Sequence, residues 1–288
     1  MRIVIIGNCQ AGVVAACLQR MTECRIAGIL DINHIKTESF TKTLSVVERK
    51  EYDVILTHNI SNKFNKVNTT QIKNDYNNVF SFTNIYFGGL HPDIVVVGGF
   101  NKRLLGKTNA LHSKIVLSSY LKRIPSHKVA SYFRGNVYER LGYFDAYSDS
   151  LEELRRRDLD VDISCSDDLA EVTKNEISMF TVNHPTNHTI MAVTQKIAAA
   201  LGMKMRPLGN NSFDNPLSRQ VVWPIYPEIA EAARLPYRTP LVWRNQLRFK
   251  NDLTIEQFIE ESYNLYDKTN FNEYLTAQEI QDLVSMDI

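Results

Sequence analysis

The residues of this chain best suited to covalent chemistry stand at its start. In MRIVIIGNCQAGVVAACLQRM an apolar run ends at Gly7-Asn8-Cys9-Gln10, and a helical pattern begins at once. A thiol at a helix N-terminus feels positive potential from unpaired N–H groups, which favours thiolate. The side-chain amides of Asn8 and Gln10 add donors suited to a developing oxyanion. A thiolate nucleophile also needs a proton partner, and the chain has seven histidines. His34, His58 and His127 read as surface or packed residues, and His188 as part of a first helical turn. Three occupy richer settings: His91-Pro92-Asp93 at the entry to an apolar run, His112-Ser113-Lys114 at a helix start, and Asn183-His184-Pro185 in a turn. Proline after histidine biases that histidine toward extended backbone, so His91 and His184 project from fixed turns.

Cys9 also has plainer readings. Gly7-Asn8-Cys9-Gln10-Ala11-Gly12 resembles the dinucleotide fingerprint G-x-G-x-x-G, and Asp31 stands where the ribose-binding acid would be. A side chain at the middle glycine position obstructs the close approach of a pyrophosphate, which argues against an NAD-type cofactor. A small buried thiol is the other plain reading, and it is the one expected for Cys17 and Cys24.

The elements that must position these groups follow from periodicity. Residues 2–7 read as a buried parallel strand, 10–21 as a helix with Val13, Val14, Cys17, Leu18 and Met21 on one face, and 25–30 as a second strand ending at Asp31. A helix around 40–51 and further buried strands at 52–58 and 93–99 complete an expected doubly wound parallel sheet, flavodoxin-like or SGNH-like, in an α/β fold. The second half reads as largely helical: 113–123, 126–142, 149–158 with a capping box at Ser150, and 187–201 stopped by Gly202. Residues 207–245 hold six of the nine prolines together with Trp223, Tyr226, Tyr237 and Trp243. They read as an extended arm or lid. Helices with capping boxes at Thr254 and Thr276 follow. The expected division is an α/β domain over 1–205 and an arm with helices over 206–288.

Composition narrows the partners. With 44% hydrophobic and 23% charged residues and a net charge of +1, the chain is an ordinary globular one without the basic excess of a nucleic-acid or membrane-surface binder. The four cysteines show no zinc-type spacing. Ile3–Ile6 is too short for a signal-peptide core, and no run reaches the roughly 18 apolar residues of a membrane span. The chain reads as cytoplasmic, with free thiols and no integral membrane segment. The arginines at 155–157 follow Glu152 and Glu153 and read as a salt-bridged helix face.

Beyond these features the sequence resembles the WcbI-type family of capsular-polysaccharide biosynthesis proteins, to which acetyl transfer is ascribed by inference. The resemblance rests on the strand leading into Gly7-Asn8-Cys9-Gln10, then NIYFGGLHPDI (84–94), LHSKIVLSSYL (111–121) and MFTVNHPTNHTI (179–190). These blocks cover roughly residues 1–205. It implies coenzyme A or acetyl-CoA as acyl donor, a sugar or polysaccharide precursor as acceptor, and a cysteine–histidine site. Carried over, Cys9 is the nucleophile and His184 its base, with His91 as second candidate base and Asp93 as its orienting acid. Gly7, Asn8, Gln10, Arg20, His112, Ser113, Lys114 and Asn183 become candidate cofactor-binding residues. Lys102 and Arg103 are further candidate phosphate partners, though their run reads rather as a solvated turn. Two alternatives stay open: an SGNH-like esterase or thioesterase with a cysteine nucleophile, and a non-catalytic module binding coenzyme A or a nucleotide. A homodimer is left open as well.

Overall fold

The structure, a computed structural model, describes residues 1–34, 38–99, 102–206 and 214–288. It is a mixed α/β fold with a four-stranded parallel sheet at the N-terminus and a helical second half. Its contacts divide the chain into two interleaved units, one of residues 1–86, 151–178 and 184–216, the other of 87–150, 179–183 and 217–288. The boundary expected at 205/206 is therefore not where the chain divides.

In the first unit, strand β1 (Arg2–Gly7) is apolar on both sides, and Ile3 to Ile6 are wholly buried. Helix α1 (Cys9–Met21) starts at once because Asn8 caps it, its side chain accepting from the Gln10 N–H at 3.0 Å. Strand β2 (Arg25–Asp31), helix α2 (Glu38–Glu48), strand β3 (Val54–His58), helix α3 (Thr69–Asp75) and strand β4 (Val79–Phe82) follow. The strands lie in the order β2-β1-β3-β4, all parallel. The chain thus leaves β1 toward one edge and returns to β3 on its other side. The carboxyl ends of β1 and β3 form the switch point where open α/β sheets bind ligands. Alternation along the strands sends Val4, Ile6, Leu30 and Ile55 into one core with Val47 of α2 and Ile72 of α3. Ile3, Ile5 and Gly7 therefore point to the opposite face.

Two strand expectations change. Residues 93–99 do not join the parallel sheet: Ile94–Val96 pairs antiparallel with Leu111–Ser113, and Gly98–Gly99 with Lys102–Arg103, all in the second unit. No helix lies between Phe82 and Ile94, and a parallel crossover needs a dozen or more residues, usually helical. The fourth strand is instead β4, whose four residues, VFSF, are too few to stand out. Among the helices, 126–142 breaks into Ser126–Val129, a 3₁₀ turn and Gly135–Arg140. The helix Ala146–Asp158 starts a turn before Ser150, so that capping-box pattern lies inside it. Asn187–Ala200 ends as expected before Gly202, at φ +61°.

The second unit is built on aromatic packing. Trp243 stacks on Phe258 with ring centroids 4.2 Å apart, and Trp223 meets both edge-on. Trp223, Tyr226 and Trp243 are buried. The described part of 207–245 therefore supplies core residues, with exposed ones between them, where an arm or lid is expected; residues 207–213 of that stretch lie outside the described residues. Helices Ile255–Tyr266 and Ala277–Ser285 carry both expected capping boxes. No described helix is long and apolar enough to cross a membrane.

These positions predict unequal costs. Trp243→Ala should destabilise by about 3–5 kcal/mol, as truncating a large core aromatic does. Thr254→Ala, which removes only a cap, should cost about 1 kcal/mol. Urea unfolding followed by circular dichroism measures both; equal, small losses would return Trp243 to a peripheral arm.

Candidate active site

The carboxyl edge of the sheet is organised by register. Gly7 pairs with Asp31, Ile6 with Thr57, and His58 with Phe82, so Asp31, Gly7, His58 and Phe82 form one row across the four strands. Paired residues of parallel strands point to the same face. Gly7 has no side chain to fill its place, and the His58 ring occupies it. A Cβ built on Gly7 would stand 2.5 Å from His58 Nδ1 and 2.8 Å from its Cε1, well inside contact distance. Phe82 packs edge-on against the same ring at 4.5 Å between centroids. The Asn8 N–H donates to His58 Nδ1 at 3.4 Å.

The turn that follows is tied down at both amides. Asn8 Nδ2 donates to Asn84 Oδ1 at 2.9 Å while its Oδ1 caps α1. Gln10 pairs with the Ile85 backbone as a strand would, Nε2 donating to the carbonyl at 2.7 Å and Oε1 accepting from the N–H at 3.2 Å. Both side chains thus hold structure, each with one of its two amide N–H donors. The backbone N–H groups of Cys9 and Gln10 face the Cys9 sulfur.

The expected thiolate is also corrected. Burial, and then the Asp31 carboxylate, push the Cys9 thiol up to about 11 against the opposing pull of those N–H groups. At neutral pH the thiol is therefore held in its protonated form. The helix N-terminus acts as expected but is outweighed, because desolvating a charge costs more than a helix end returns. Chemistry at this thiol therefore needs a base.

His184 lies in the same unit as Cys9. The helix Asn187–Ala200 packs beside α1. Cys17, eight residues after Cys9, faces Thr194, eight residues after Thr186. Beyond the helix ends, the Arg206 N–H donates to the Met21 carbonyl at 2.7 Å. The two helices thus run parallel, and their N-termini, with Cys9 and His184, lie at the same end. His184 is buried, its Nδ1 has no hydrogen-bond partner among the described residues, and burial lowers it to about 4. It is neutral at pH 7, as a base must be.

The other candidates separate. His91 and Asp93 belong to the second unit. His91 Nε2 donates to the Trp223 carbonyl at 3.1 Å, and burial lowers the ring to about 3. Asp93 does not orient His91. Its oxygens accept from Tyr226 Oη at 2.7 Å, Tyr143 Oη at 3.0 Å and the Ile115 N–H at 3.0 Å. Burial raises its pKa, which hydrogen bonds from Ser113, Tyr226 and the Ile115 N–H and the charge of Lys114 counter in part. His112 is held by the Leu104 carbonyl and Tyr266 Oη, Ser113 caps the Lys114–Leu121 helix, and Lys114 Nζ donates to the Pro92 carbonyl at 2.7 Å. Asn183 Oδ1 accepts from Thr181 Oγ1, and Lys102 pairs with Glu273. Arg20 is exposed at the far end of α1, eleven residues and about 16 Å from Cys9. Gly7, Asn8, Cys9 and Gln10 are brought together; Arg20 is not among them. Of the arginine run, Arg156 pairs with Glu153 and Arg155 with Asp167 as a salt-bridged face should. Arg157 turns inward and donates to the Asn84 and Tyr86 carbonyls.

Sequence reasoning missed His58 and Asn84. Both end strands or follow them at the same edge as Gly7. The signal was present in the VILTH run, whose last residue must stand beside the end of β1 once the two strands pair in parallel.

A parallel sheet with a half-buried thiol at its switch point, on the first residue of the capped helix α1, defines an α/β protein. Residues 2–206 match the family described as polysaccharide biosynthesis enzyme WcbI. The chain belongs to that family of polysaccharide biosynthesis enzymes. A solved structure of WcbI has the same fold, with a TM-score of 0.77 over 99% of this chain and 95% of its own at 14% identity. It is described as a novel polysaccharide biosynthesis enzyme, in native form without a disulfide bond between coenzyme A and one of its cysteines. No curated protein matches the sequence.

The electrostatics of the turn predict a pH profile. Alkylation of Cys9 by iodoacetamide, followed by peptide mass spectrometry, should rise about tenfold per pH unit up to about pH 11. Asp31→Asn removes a negative charge that opposes ionisation, so its midpoint should shift to lower pH. An unchanged midpoint would show that Asp31 does not act on the thiol.

Proposed function

We propose that this protein is a coenzyme A-dependent O-acyltransferase that acetylates a sugar hydroxyl of a capsular or other surface polysaccharide or its precursor, with Cys9 as nucleophile and His184 as base. The observation that carries the reading is that a half-buried thiol and a neutral buried histidine stand at the N-terminal ends of two helices that pack side by side in parallel. Family membership supports a role in polysaccharide biosynthesis. The description of solved WcbI in terms of a coenzyme A–cysteine disulfide supports taking Cys9 as the counterpart of that cysteine. The strand order supports the flavodoxin-like reading of the parallel half.

In this reading the first-turn N–H groups of α1 and of Asn187–Ala200 face the donor's anionic and carbonyl oxygens. His184 takes the Cys9 proton as the sulfur bonds to the thioester carbonyl carbon. The proton passes to the departing coenzyme A sulfur as that C–S bond breaks, leaving Cys9 acetylated. His184 then takes the proton of the acceptor hydroxyl, whose oxygen bonds to the acyl carbon. The Cys9 sulfur leaves and recovers that proton. A base is required at both stages because Cys9 is a thiol at neutral pH.

Calorimetric titration with coenzyme A, with NAD as comparison, tests the donor. Saturable binding of coenzyme A without NAD is the expected result. Cys9→Ser should keep that binding and lose acetylation from acetyl-CoA, read as a mass increase on the Cys9 peptide in the parent protein. Failure to bind coenzyme A would remove the donor and leave a cysteine-dependent hydrolase, testable with simple esters and thioesters.

A further inference from the structure

Four buried histidines differ in how their ring nitrogens are used. His112 is satisfied at both, and His91 donates from Nε2 to a carbonyl. His184 Nδ1 has no partner among the described residues. His58 is the one held by a backbone N–H. An N–H can only donate, so the Nδ1 that receives it must present its lone pair. A neutral ring with an unprotonated Nδ1 carries its proton on Nε2. That Nε2 is buried and has no partner among the described residues, so nothing on its far side competes to reverse the tautomer. Burial lowers the ring to about 3, which keeps it neutral across the physiological range.

The ring is also fixed in place. It lies over Gly7 on one side and against Phe82 on another. The peptide it holds is that of Asn8, the residue that caps α1 and directly precedes Cys9. Because its lone pair is occupied, His58 is not available to take the thiol proton.

We propose that His58 is a positioning residue for the nucleophile turn: held as the Nε2–H tautomer, it accepts the Asn8 N–H and thereby fixes the depth at which Cys9 is buried. The proposal rests on the reading of Cys9 as nucleophile, but its tests need no coenzyme A. If coenzyme A fails to bind, the acyltransferase reading falls while the positioning role is still decided.

The first test is nitrogen-15 NMR of the histidine-labelled wild-type protein. The His58 resonances should show a protonated Nε2 and an unprotonated Nδ1 from pH 5 to 8; a protonated Nδ1 would overturn the proposal. The second uses two variants that split the ring's functions. His58→Asn places a carbonyl oxygen near the Nδ1 position and can accept the Asn8 N–H, whereas His58→Ala cannot. Cys9 in His58→Asn should keep the wild-type alkylation profile. In His58→Ala the thiol should gain solvent, and its alkylation at pH 8 should accelerate about tenfold, equal to one pKa unit. Rescue by asparagine separates positioning from mere filling of space. A folded His58→Asn behaving like His58→Ala, or a His58→Ala indistinguishable from wild type, would overturn the proposal. The wild-type NMR result stands even if a variant does not fold.

Discussion

One missing side chain sets the geometry at the carboxyl edge of this protein's parallel sheet. At the end of the central strand Gly7 carries only hydrogen where its neighbours carry carboxylate and imidazole. The His58 ring lies in the space, too close for any Cβ at that position. That contact brings β3 and the start of α1 to a common point, because the ring that lies over Gly7 also receives the next N–H in the chain. Asn8 can then cap the helix and reach Asn84 with the same side chain. Cys9 follows with no freedom left in the residues before it.

The chemistry at Cys9 is a balance that burial wins. Helix N-terminus, backbone donors and nearby carboxylate each act on one sulfur, and the sum is a protonated thiol. A permanently ionised cysteine reacts with any passing electrophile. A thiol that needs a base reacts only where a base and a bound partner coincide. The neutral state of His184, also set by burial, fits that requirement.

Much of this was legible in the sequence. The first βαβ unit, the helix after the His184 turn and the terminal capping boxes all carry local signals, and each forms as read. The place of the GNCQ turn between strand and helix was legible too. What was not legible depends on register and on competition. Nothing in Gln10 itself says that its amide will be spent on Ile85, since the partner lies 75 residues away. His58 looked ordinary because its significance lies in the strand beside it. The aromatic stretch after residue 214 was misread for a related reason: without periodicity, dense proline and tryptophan look alike whether they form a loop surface or a core. Asp93 kept the apparent promise of a histidine partner until its oxygens were counted against two tyrosines and a backbone N–H.

The interleaving of the two units has a consequence for how such a chain can diverge. The family match stops at residue 206, while the likeness to the solved fold runs through 99% of the chain. Trp223, Trp243 and Phe258 lie past the end of the match yet close the same core as Ile94, Val116 and Val182, which lie within it. A fragment cut at the edge of the recognisable sequence would carry the reactive turn but leave half of the second core without its partners. What the last eighty residues supply to that core is volume and shape, which many side-chain combinations satisfy. Such a segment can lose every recognisable residue and still be inherited intact as a structure.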